Sequence, residues 1–111
     1  MVKGPSKTRF EEIFTQGKRV GGELARLNSL PGKGLLGIAT SKKIGVTPKR
    51  NQAKRRFREA IRLQSLASPQ LDYVLIVKAD AANASFERIQ LEVRTLFDET
   101  RRRWADELEF S

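Results

Sequence analysis

The chain of 111 residues has the length of one domain, which we expect to bury roughly two thirds of its unfolded surface in a single core. It contains no Cys and no His, and this excludes a disulfide framework, a thiolate nucleophile, a zinc ribbon and imidazole chemistry. The first residues lack the apolar run of a signal peptide, and no stretch of about 18 apolar residues occurs. We therefore expect a cytoplasmic protein without a membrane segment.

Positive charge is concentrated in one part of the chain. The formal net charge is +9, yet residues 63–111 contain more acids than Lys and Arg. Residues 42–62 contain nine Lys or Arg and one Glu. This density favours a polyanionic partner, because each contacted phosphate releases condensed counterions and that release drives association.

The N-terminal segment predicts a short helix. Thr8 and Glu11 form the ends of a capping box, and Phe10, Ile13 and Phe14 follow at helical spacing. Gly17 is the predicted end of this helix.

Two strands are predicted after this helix. Residues 18–29 alternate weakly and predict a strand that is interrupted or bent at Gly21–Gly22. The alternation places Leu24, Arg26 and Asn28 on one face of that strand. Residues 30–34 predict a turn and residues 35–41 predict a second strand. A turn between two strands predicts a hairpin.

A long helix and a buried strand come next. Thr47 is the predicted N-cap and Pro48 the first helical residue, in a helix that runs to about Leu66 and is stopped by Ser68–Pro69. The continuous apolar run Tyr73–Val77 predicts a strand covered on both faces.

The C-terminal segment predicts a loop over residues 80–84 and a last helix capped by Ser85. Its apolar stripe consists of Phe86, Ile89, Val93, Leu96, Phe97, Trp104 and Leu108. The predicted order of helix, strand, strand, helix, strand, helix indicates an α+β or α/β sandwich on one small sheet.

The helix that begins near Pro48 is one-sided. At 100° per residue its apolar face consists of Ala53, Phe57, Ala60 and Ile61. A contiguous arc beside that face contains Arg50, Asn51, Lys54, Arg55, Arg58 and Arg62. A merely solvated helix would interleave acids, whereas only Glu59 borders this arc, so we favour phosphate recognition by the Arg residues. Asn51 is suited to a sugar hydroxyl or a base edge.

The stretch GIATSKKIGVTPKRNQAKRRFREAIR resembles the bacterial ribonuclease P protein family. The family signature is a strand ending in S-K-K-[VI]-G, a short loop, and R-N-R-x-K-R-x-x-R-E on a helix. The matching residues are Ser41, Lys42, Lys43, Ile44 and Gly45, then Arg50, Asn51, Lys54, Arg55, Arg58 and Glu59. Gln52 replaces the second Arg of the R-N-R triplet, and Pro48 is atypical, so this chain departs from the family at the position of one usual phosphate contact. The first and last predicted helices also look like those of the family.

This resemblance implies a single RNA-binding domain over residues 1–111. The implied fold is an α/β sandwich of order αβββαβα with a small mixed sheet and a left-handed βαβ crossover. The extra strand would be residues 18–21 or the far side of the Gly21–Gly22 bend.

The resemblance also implies a function. Ribonuclease P removes the 5′ leader of precursor tRNA, and its RNA subunit carries the active site with bound Mg²⁺. The protein itself would bind no metal and carry no catalytic residue. It would hold the RNA subunit through Lys42, Lys43, Arg50, Asn51, Lys54, Arg55, Arg58 and Arg62.

A cleft for the single-stranded leader is implied beside the opening helix. Phe10 and Phe14 would line it, although Phe at i and i+4 on a short helix is more often a core pair. The family often has a further aromatic residue on the strand, where this chain has Asn28, so stacking there would be weaker or shifted.

Two other classes of protein fit the same charge map. A ribosomal protein or assembly factor is one alternative, since a small basic α/β domain that binds structured RNA looks the same. A DNA-binding regulator is the other, but a basic loop and helix directly after a strand differ from a helix-turn-helix.

The acid pairs at residues 11–12, 98–99 and 106–107 are predicted to be solvated rather than catalytic.

Overall fold

The computed structural model describes residues 4–110, which form three α-helices and a four-stranded sheet. The helices are α1 (Lys7–Gln16), α2 (Thr47–Leu63) and α3 (Phe86–Trp104). The strands are β1 (Lys18–Gly21), β2 (Ala25–Pro31), β3 (Leu36–Thr40) and β4 (Leu71–Val77). Short 3₁₀ helices span Lys42–Ile44 and Ala79–Asn83. The predicted order αβββαβα is confirmed, and Gly21–Gly22 does divide the first predicted strand into β1 and β2.

The sheet is mixed, with the strand order β1-β2-β4-β3. The β1–β2 and β2–β4 pairs are antiparallel, and the β3–β4 pair is parallel. The predicted hairpin of β2 and β3 is therefore wrong, because β4 lies between them. Asp72 at the start of β4 accepts hydrogen bonds from the backbone N–H groups of Lys33, Gly34 and Leu35 at 2.8–3.1 Å. These bonds hold the connecting turn against β4. The left-handed sense of the β3–α2–β4 crossover stays a prediction.

The core lies between the sheet and the pair α2 and α3, which pack on each other. Leu27, Leu75 and Phe57 are fully buried in it. The Tyr73 and Phe97 rings lie 4.9 Å apart, and Trp104 Nε1 donates to Ser29 Oγ at 2.8 Å. Because side chains alternate along a strand, the other residues of β2 and β4 face the opposite side. Helix α1 packs there, against β2 and β4, and buries Ile13.

The start of α1 differs from the predicted capping box. Ser6 is the N-cap, and its hydroxyl accepts from the Arg9 N–H at 3.2 Å, so Thr8 lies inside the helix. Gly17 ends the helix as predicted, but with extended backbone. A Cβ there would overlap the carbonyl oxygens of Ile13 and Ser29, so the close approach of α1 to β2 requires glycine.

Helix α2 also departs from prediction at both ends. Thr47 is its first residue rather than its cap, Val46 is the N-cap without a side-chain hydrogen bond, and Pro48 lies in the first turn as expected. The helix ends at Leu63, short of Leu66, and Ser65 has a φ of 51°.

Beyond α2, the predicted loop over residues 80–84 is largely 3₁₀ helix. The Ser85 hydroxyl caps α3 as predicted and accepts from the Arg88 N–H at 3.1 Å. Leu108, placed on this helix by its spacing, lies beyond its end at Trp104 and is half-buried. Within residues 4–110, no helix combines the length and apolarity needed to span a membrane.

Candidate nucleic-acid interface

Burial of one face fixes the rotation of α2. Ala53, Phe57, Ala60 and Ile61 are all buried, which confirms the predicted apolar face. The rest of the helix must then face outward. Asn51, Arg55, Arg58 and Arg62 are exposed, and Arg50 and Lys54 are half-buried.

A groove of about 330 Å³ lies between the edge strand β3 and the first turns of α2. We call it the α2 groove; it is lined by Ile38, Ala39, Thr40, Lys42, Thr47, Arg50, Asn51 and Lys54. It therefore brings together four of the residues predicted to bind RNA. The other four, Lys43, Arg55, Arg58 and Arg62, are exposed outside it. The Arg50 guanidinium donates to Thr47 Oγ1 at 3.1 Å, which orients Arg50 at the groove.

The loop between β3 and α2 holds two cations in exposed positions. Ser41 caps its 3₁₀ helix, and the Ser41 hydroxyl accepts from the Lys43 N–H at 3.2 Å. Ile44 is buried, whereas Lys42 and Lys43 point to the surface. Gly45 has a φ of 122°, a conformation that L side chains rarely adopt. The S-K-K-I-G sequence thus forms an anchored turn that displays its two lysines.

One cation of the arc is paired within its own helix. Arg62 Nε donates to Glu59 Oε2 at 3.1 Å, and a second bond joins the same two side chains. The hydrogen bond from Arg62 holds the pKa of the Glu59 carboxyl below its usual value. Arg62 is consequently less available for phosphate than its place on the arc predicts.

One row of residues crosses the whole sheet on the α1 side. The strand registers align Gly21 with Arg26, Arg26 with Ile76, and Ile76 with Ala39. Directly paired residues share a face of the sheet. A Cβ on Gly21 would meet nothing within 4 Å, and the other three residues are only half-buried. We call Gly21, Arg26, Ile76 and Ala39 the open row.

The neighbouring row is closed. It consists of Arg19, Asn28, Val74 and Gly37, and it is closed at its centre, where Asn28 and Val74 are buried, whereas Arg19 on β1 is exposed. Pro5 lies over Gly37 so closely that a Cβ there would come within 2.9 Å of Pro5 Cδ. The closed row and α1 therefore border the open row on one side, and we call the open row with this border the cleft. Ala39 belongs to both the open row and the α2 groove, so the cleft and the groove meet at this residue.

The two predicted cleft aromatics lie on α1 beside these rows. Phe14 is 38 % exposed, whereas its neighbour Ile13 is fully buried. Phe10 is half-buried near Gly37, where a glycine Cβ would lie 3.8 Å from Phe10 Cδ2. The helix thus uses Ile13 as its core residue and leaves Phe14 at the surface.

Sequence reasoning did not single out Arg26. Its guanidinium carbon lies 5.3 Å from the centroid of the Phe14 ring, within the range of a cation–π contact. The alternation of residues 24–29 placed Arg26 on the face of Asn28, and a cation on that strand face was the available signal. What the sequence lacked was the identity of the ring above it, because Phe14 comes from a different element.

One acid of each predicted acid pair forms an ion pair with a nearby cation. Glu12 lies 3.9 Å from Arg9, and Glu107 lies 3.2 Å from Lys18. Hydrogen bonds from Arg102 and Arg103 lower the pKa of Glu99. Within residues 4–110, no three Asp or Glu side chains come together in a group that fits a metal ion.

Comparison with known proteins shows which family this chain resembles. A family model described as Ribonuclease P matches residues 5–101. The ribonuclease P protein component of Symbiobacterium thermophilum is 31 % identical over 98 residues, which is 84 % of this chain and 85 % of that protein. The ribonuclease P protein component of Desulfosudis oleivorans is 37 % identical over 97 residues, which is 84 % of this chain and 80 % of that protein.

Two solved structures have the same fold. The Staphylococcus aureus RNase P protein superposes with a TM-score of 0.80 at 21 % identity, over 91 % of this chain and 96 % of that one. The Thermotoga maritima RNase P protein superposes with a TM-score of 0.77 at 23 % identity, over 87 % of this chain and 96 % of that one.

Proposed function

The chain belongs to the ribonuclease P protein family, and on that basis we propose that it is the accessory protein of a ribonucleoprotein endoribonuclease whose RNA subunit carries out catalysis. Family membership places the chain in tRNA 5′-end processing. Its partners are then the ribonuclease P RNA and precursor tRNA, and its location is the cytoplasm. One domain over residues 1–111 performs the binding.

The α2 groove and the exposed flank of α2 bind the RNA subunit in this proposal. Lys42, Arg50 and Lys54 surround the groove, and Arg55 and Arg58 extend the positive surface along the helix. Guanidinium groups bind two phosphate oxygens at once, and the released counterions drive association. Asn51 adds a group that both donates and accepts, which suits a ribose hydroxyl or a base edge.

The open row binds the single-stranded leader. Phe14 offers an exposed aromatic face beside the row, and stacking of a base on such a face contributes about 1–3 kcal/mol. Phe10 is half-buried and contributes part of the cleft wall.

The observation that carries the proposal is that the cleft and the groove share Ala39. A leader in the cleft would lie directly beside the RNA subunit on α2, so the protein would bring substrate and catalyst together. Mg²⁺ held by the RNA subunit and the substrate would supply the activated water. The residues of this chain bind and position RNA.

Reconstitution tests this proposal. Precursor tRNA and a bacterial ribonuclease P RNA are mixed at an Mg²⁺ concentration too low for cleavage by the RNA alone, with or without the protein. We expect the protein to restore cleavage at the mature 5′ end, because its cations offset repulsion between the two RNAs. Polylysine of equal total charge is the control. No stimulation beyond that of polylysine, together with tight binding to ribosomal RNA fragments, would favour the ribosomal alternative instead.

A further inference from the structure

Arg56 differs from the other arginines in the middle of α2. At 100° per residue it falls on the opposite side of the buried face from the arc that contains Arg55 and Arg58. Arg55 and Arg58 are exposed, whereas Arg56 is half-buried. The Arg56 guanidinium donates to the carbonyl oxygen of Ala84 at 2.6 Å. Arg56 is therefore bound to another part of the protein, away from the surface that we expect to contact RNA.

Ala84 closes a short segment after β4. We call this segment, residues 79–84, the brace; it consists of the second 3₁₀ helix and the residue that follows it. The brace packs on α2 and on the loop of residues 41–45, which we call the lysine turn. Ala81 of the brace is 1 % exposed and belongs to the same buried core as Ile44 of the lysine turn. The brace therefore connects the lysine turn to α2.

The lysine turn is anchored to the sheet at its start. The Ser41 N–H donates to the carbonyl oxygen of Val77 at the end of β4, at 2.9 Å. Lys42 and Lys43 follow this anchor in exposed positions. Because the brace packs on both the lysine turn and α2, the spacing between these lysines and the cations of α2 depends on where the brace lies. A bond that fixes the brace to α2 also fixes that spacing.

A guanidinium is suited to such a bond. A charged donor forms a stronger hydrogen bond to a carbonyl oxygen than a neutral donor does. The next residue, Ser85, already caps α3 with its hydroxyl, so Arg56 joins α2 to the point where the brace meets α3. Cations that are held in place before RNA arrives bind it more tightly, because less conformational freedom is lost on binding.

We propose that Arg56 is a positioning residue of the RNA interface, which fixes the brace through Ala84 and so sets the spacing of Lys42 and Lys43 from the cations of α2. The inference rests on the proposed function and adds to it a residue that acts through other residues without touching RNA. Its signature is a dependence of the two lysines on Arg56 that the cations of the arc do not share.

A double-mutant cycle tests the inference. Arg56→Met keeps an unbranched side chain without the guanidinium, and Lys42→Ala with Lys43→Ala removes the two cations of the lysine turn. Dissociation constants for a bacterial ribonuclease P RNA are measured for wild type, for each variant and for their combination. We expect removal of the lysines to weaken binding at least about three-fold more in wild type than in Arg56→Met, because residues coupled through one structural element deviate from additivity.

Three further variants serve as controls. Lys49→Met removes an exposed cation on the same side of α2 as Arg56, so it measures the loss of charge alone, and removal of the lysines should cost the same in it as in wild type. Arg56→Lys keeps a charged donor and should restore most of the coupling. Arg58→Ala should cost the same with and without Arg56→Met, since α2 itself holds Arg58.

Partial unfolding would give a different result from loss of positioning. It lowers the apparent affinity by the same factor with or without the lysines, so it produces no coupling. Thermal melts check folding, and Arg56→Gln, which is shorter and polar, replaces Arg56→Met if that variant unfolds. Amide hydrogen exchange of the free protein gives a second readout, because the brace and the lysine turn should exchange faster in Arg56→Met than in wild type.

The outcomes separate this inference from the proposed function. Wild type that binds the ribonuclease P RNA no better than a ribosomal RNA fragment would overturn the proposed function, on which the inference rests. An equal cost of removing the lysines with and without Arg56→Met would overturn the positioning role alone, as would unchanged exchange in both segments. A salt slope that falls by about one unit in Arg56→Met without any coupling would also overturn it, because Arg56 would then contact a phosphate itself.

Discussion

Arg9 on α1 donates its Nε to Asp72 Oδ2 on β4 at 2.9 Å, and the Asp72 side chain is 3 % exposed. The other carboxylate oxygen accepts from three backbone N–H groups of the turn over residues 33–35. The Arg9 guanidinium also donates to the carbonyl oxygen of Pro31 at 2.6 Å. One buried carboxylate thus ties together α1, the turn before β3 and the end of β2. Since Phe14 is carried by α1, Asp72 indirectly positions the aromatic wall of the cleft.

Asp72→Ala should lower the free energy of unfolding by about 2–4 kcal/mol, because it removes an ionised acceptor from several donors at once. Urea unfolding followed by the fluorescence of Trp104, the single tryptophan, measures this loss. The matched control is Glu12→Ala, which removes the exposed and looser partner of Arg9 and should cost no more than about 0.5 kcal/mol. Equal stabilities of the two variants would contradict the role assigned to Asp72.

The same carboxylate should make stability depend on pH. Burial raises the pKa of Asp72, but hydrogen bonds from Leu35, Lys33 and Arg9 outweigh it, so the pKa lies below its usual value. A pKa that is lower in the folded than in the unfolded state stabilises the protein above the unfolded value, near 4, and this contribution disappears as the pH falls through the folded value. Urea unfolding between about pH 7 and pH 2 should show stability falling below about pH 4. Asp72→Ala should show a smaller fall, and parallel curves would refute this origin.

Arg55→Ala combined with Arg58→Ala should weaken binding of the RNA subunit. The log–log dependence of affinity on salt should flatten by nearly one unit for each lost phosphate contact at duplex-like charge density. Folding should change little, since both side chains are exposed. The control is Arg94→Ala with Arg102→Ala, which removes two exposed cations from α3. Identical salt slopes for wild type and the α2 variant would exclude direct phosphate contacts there.

Glu59→Gln should strengthen RNA binding, in contrast. It removes a negative charge beside the arc and releases Arg62 from its ion pair. If Arg62 then contacts a phosphate, the salt slope should become steeper by up to about one unit. Binding isotherms of Glu59→Gln and of Glu59→Gln with Arg62→Ala separate the two effects, because only the single variant has the released cation. A single variant with the slope of wild type would show that Arg62 lies outside the interface.

Prediction from sequence succeeded where one element contains all the information. The apolar face of α2 follows from residues within seventeen positions, and Phe57 and Ala60 are buried as their spacing requires. The hairpin prediction was wrong for the opposite reason. The residues Pro31–Gly32 indicate a turn, but the strand that pairs with β2 is β4, which lies forty residues later in the chain. The turn itself bonds to Asp72 of β4 rather than joining β2 to β3 as a hairpin.

The cleft required even more distant information. The open row exists because three strand registers place Arg26, Ile76 and Ala39 side by side, and no single strand specifies the register of its neighbours. The exposure of Phe14 depends on how α1 is rotated on the sheet, where Ile13 rather than Phe14 is buried. Residue types and spacing therefore predicted which face of α2 is buried, whereas the open row could be found only from the strand registers.

Phe14→Ala should lower affinity for precursor tRNA and leave affinity for mature tRNA nearly unchanged, because mature tRNA has no leader to stack on the ring. The expected loss is about 1–3 kcal/mol, the range for one stacked base. Phe14 is partly exposed, so its truncation should cost less stability than the truncation of a buried Phe, which is typically about 3–5 kcal/mol. A thermal melt checks this expectation. Phe110→Ala is the matched control, since Phe110 also lies against an arginine, with the Arg101 guanidinium 5.2 Å from its ring centroid, but follows the end of α3 and belongs to neither the open row nor α1. Phe110→Ala should bind both RNAs like wild type. If Phe14→Ala melts like wild type and also binds both RNAs with unaltered affinity, Phe14 does not contact the leader and the cleft must lie elsewhere on the sheet.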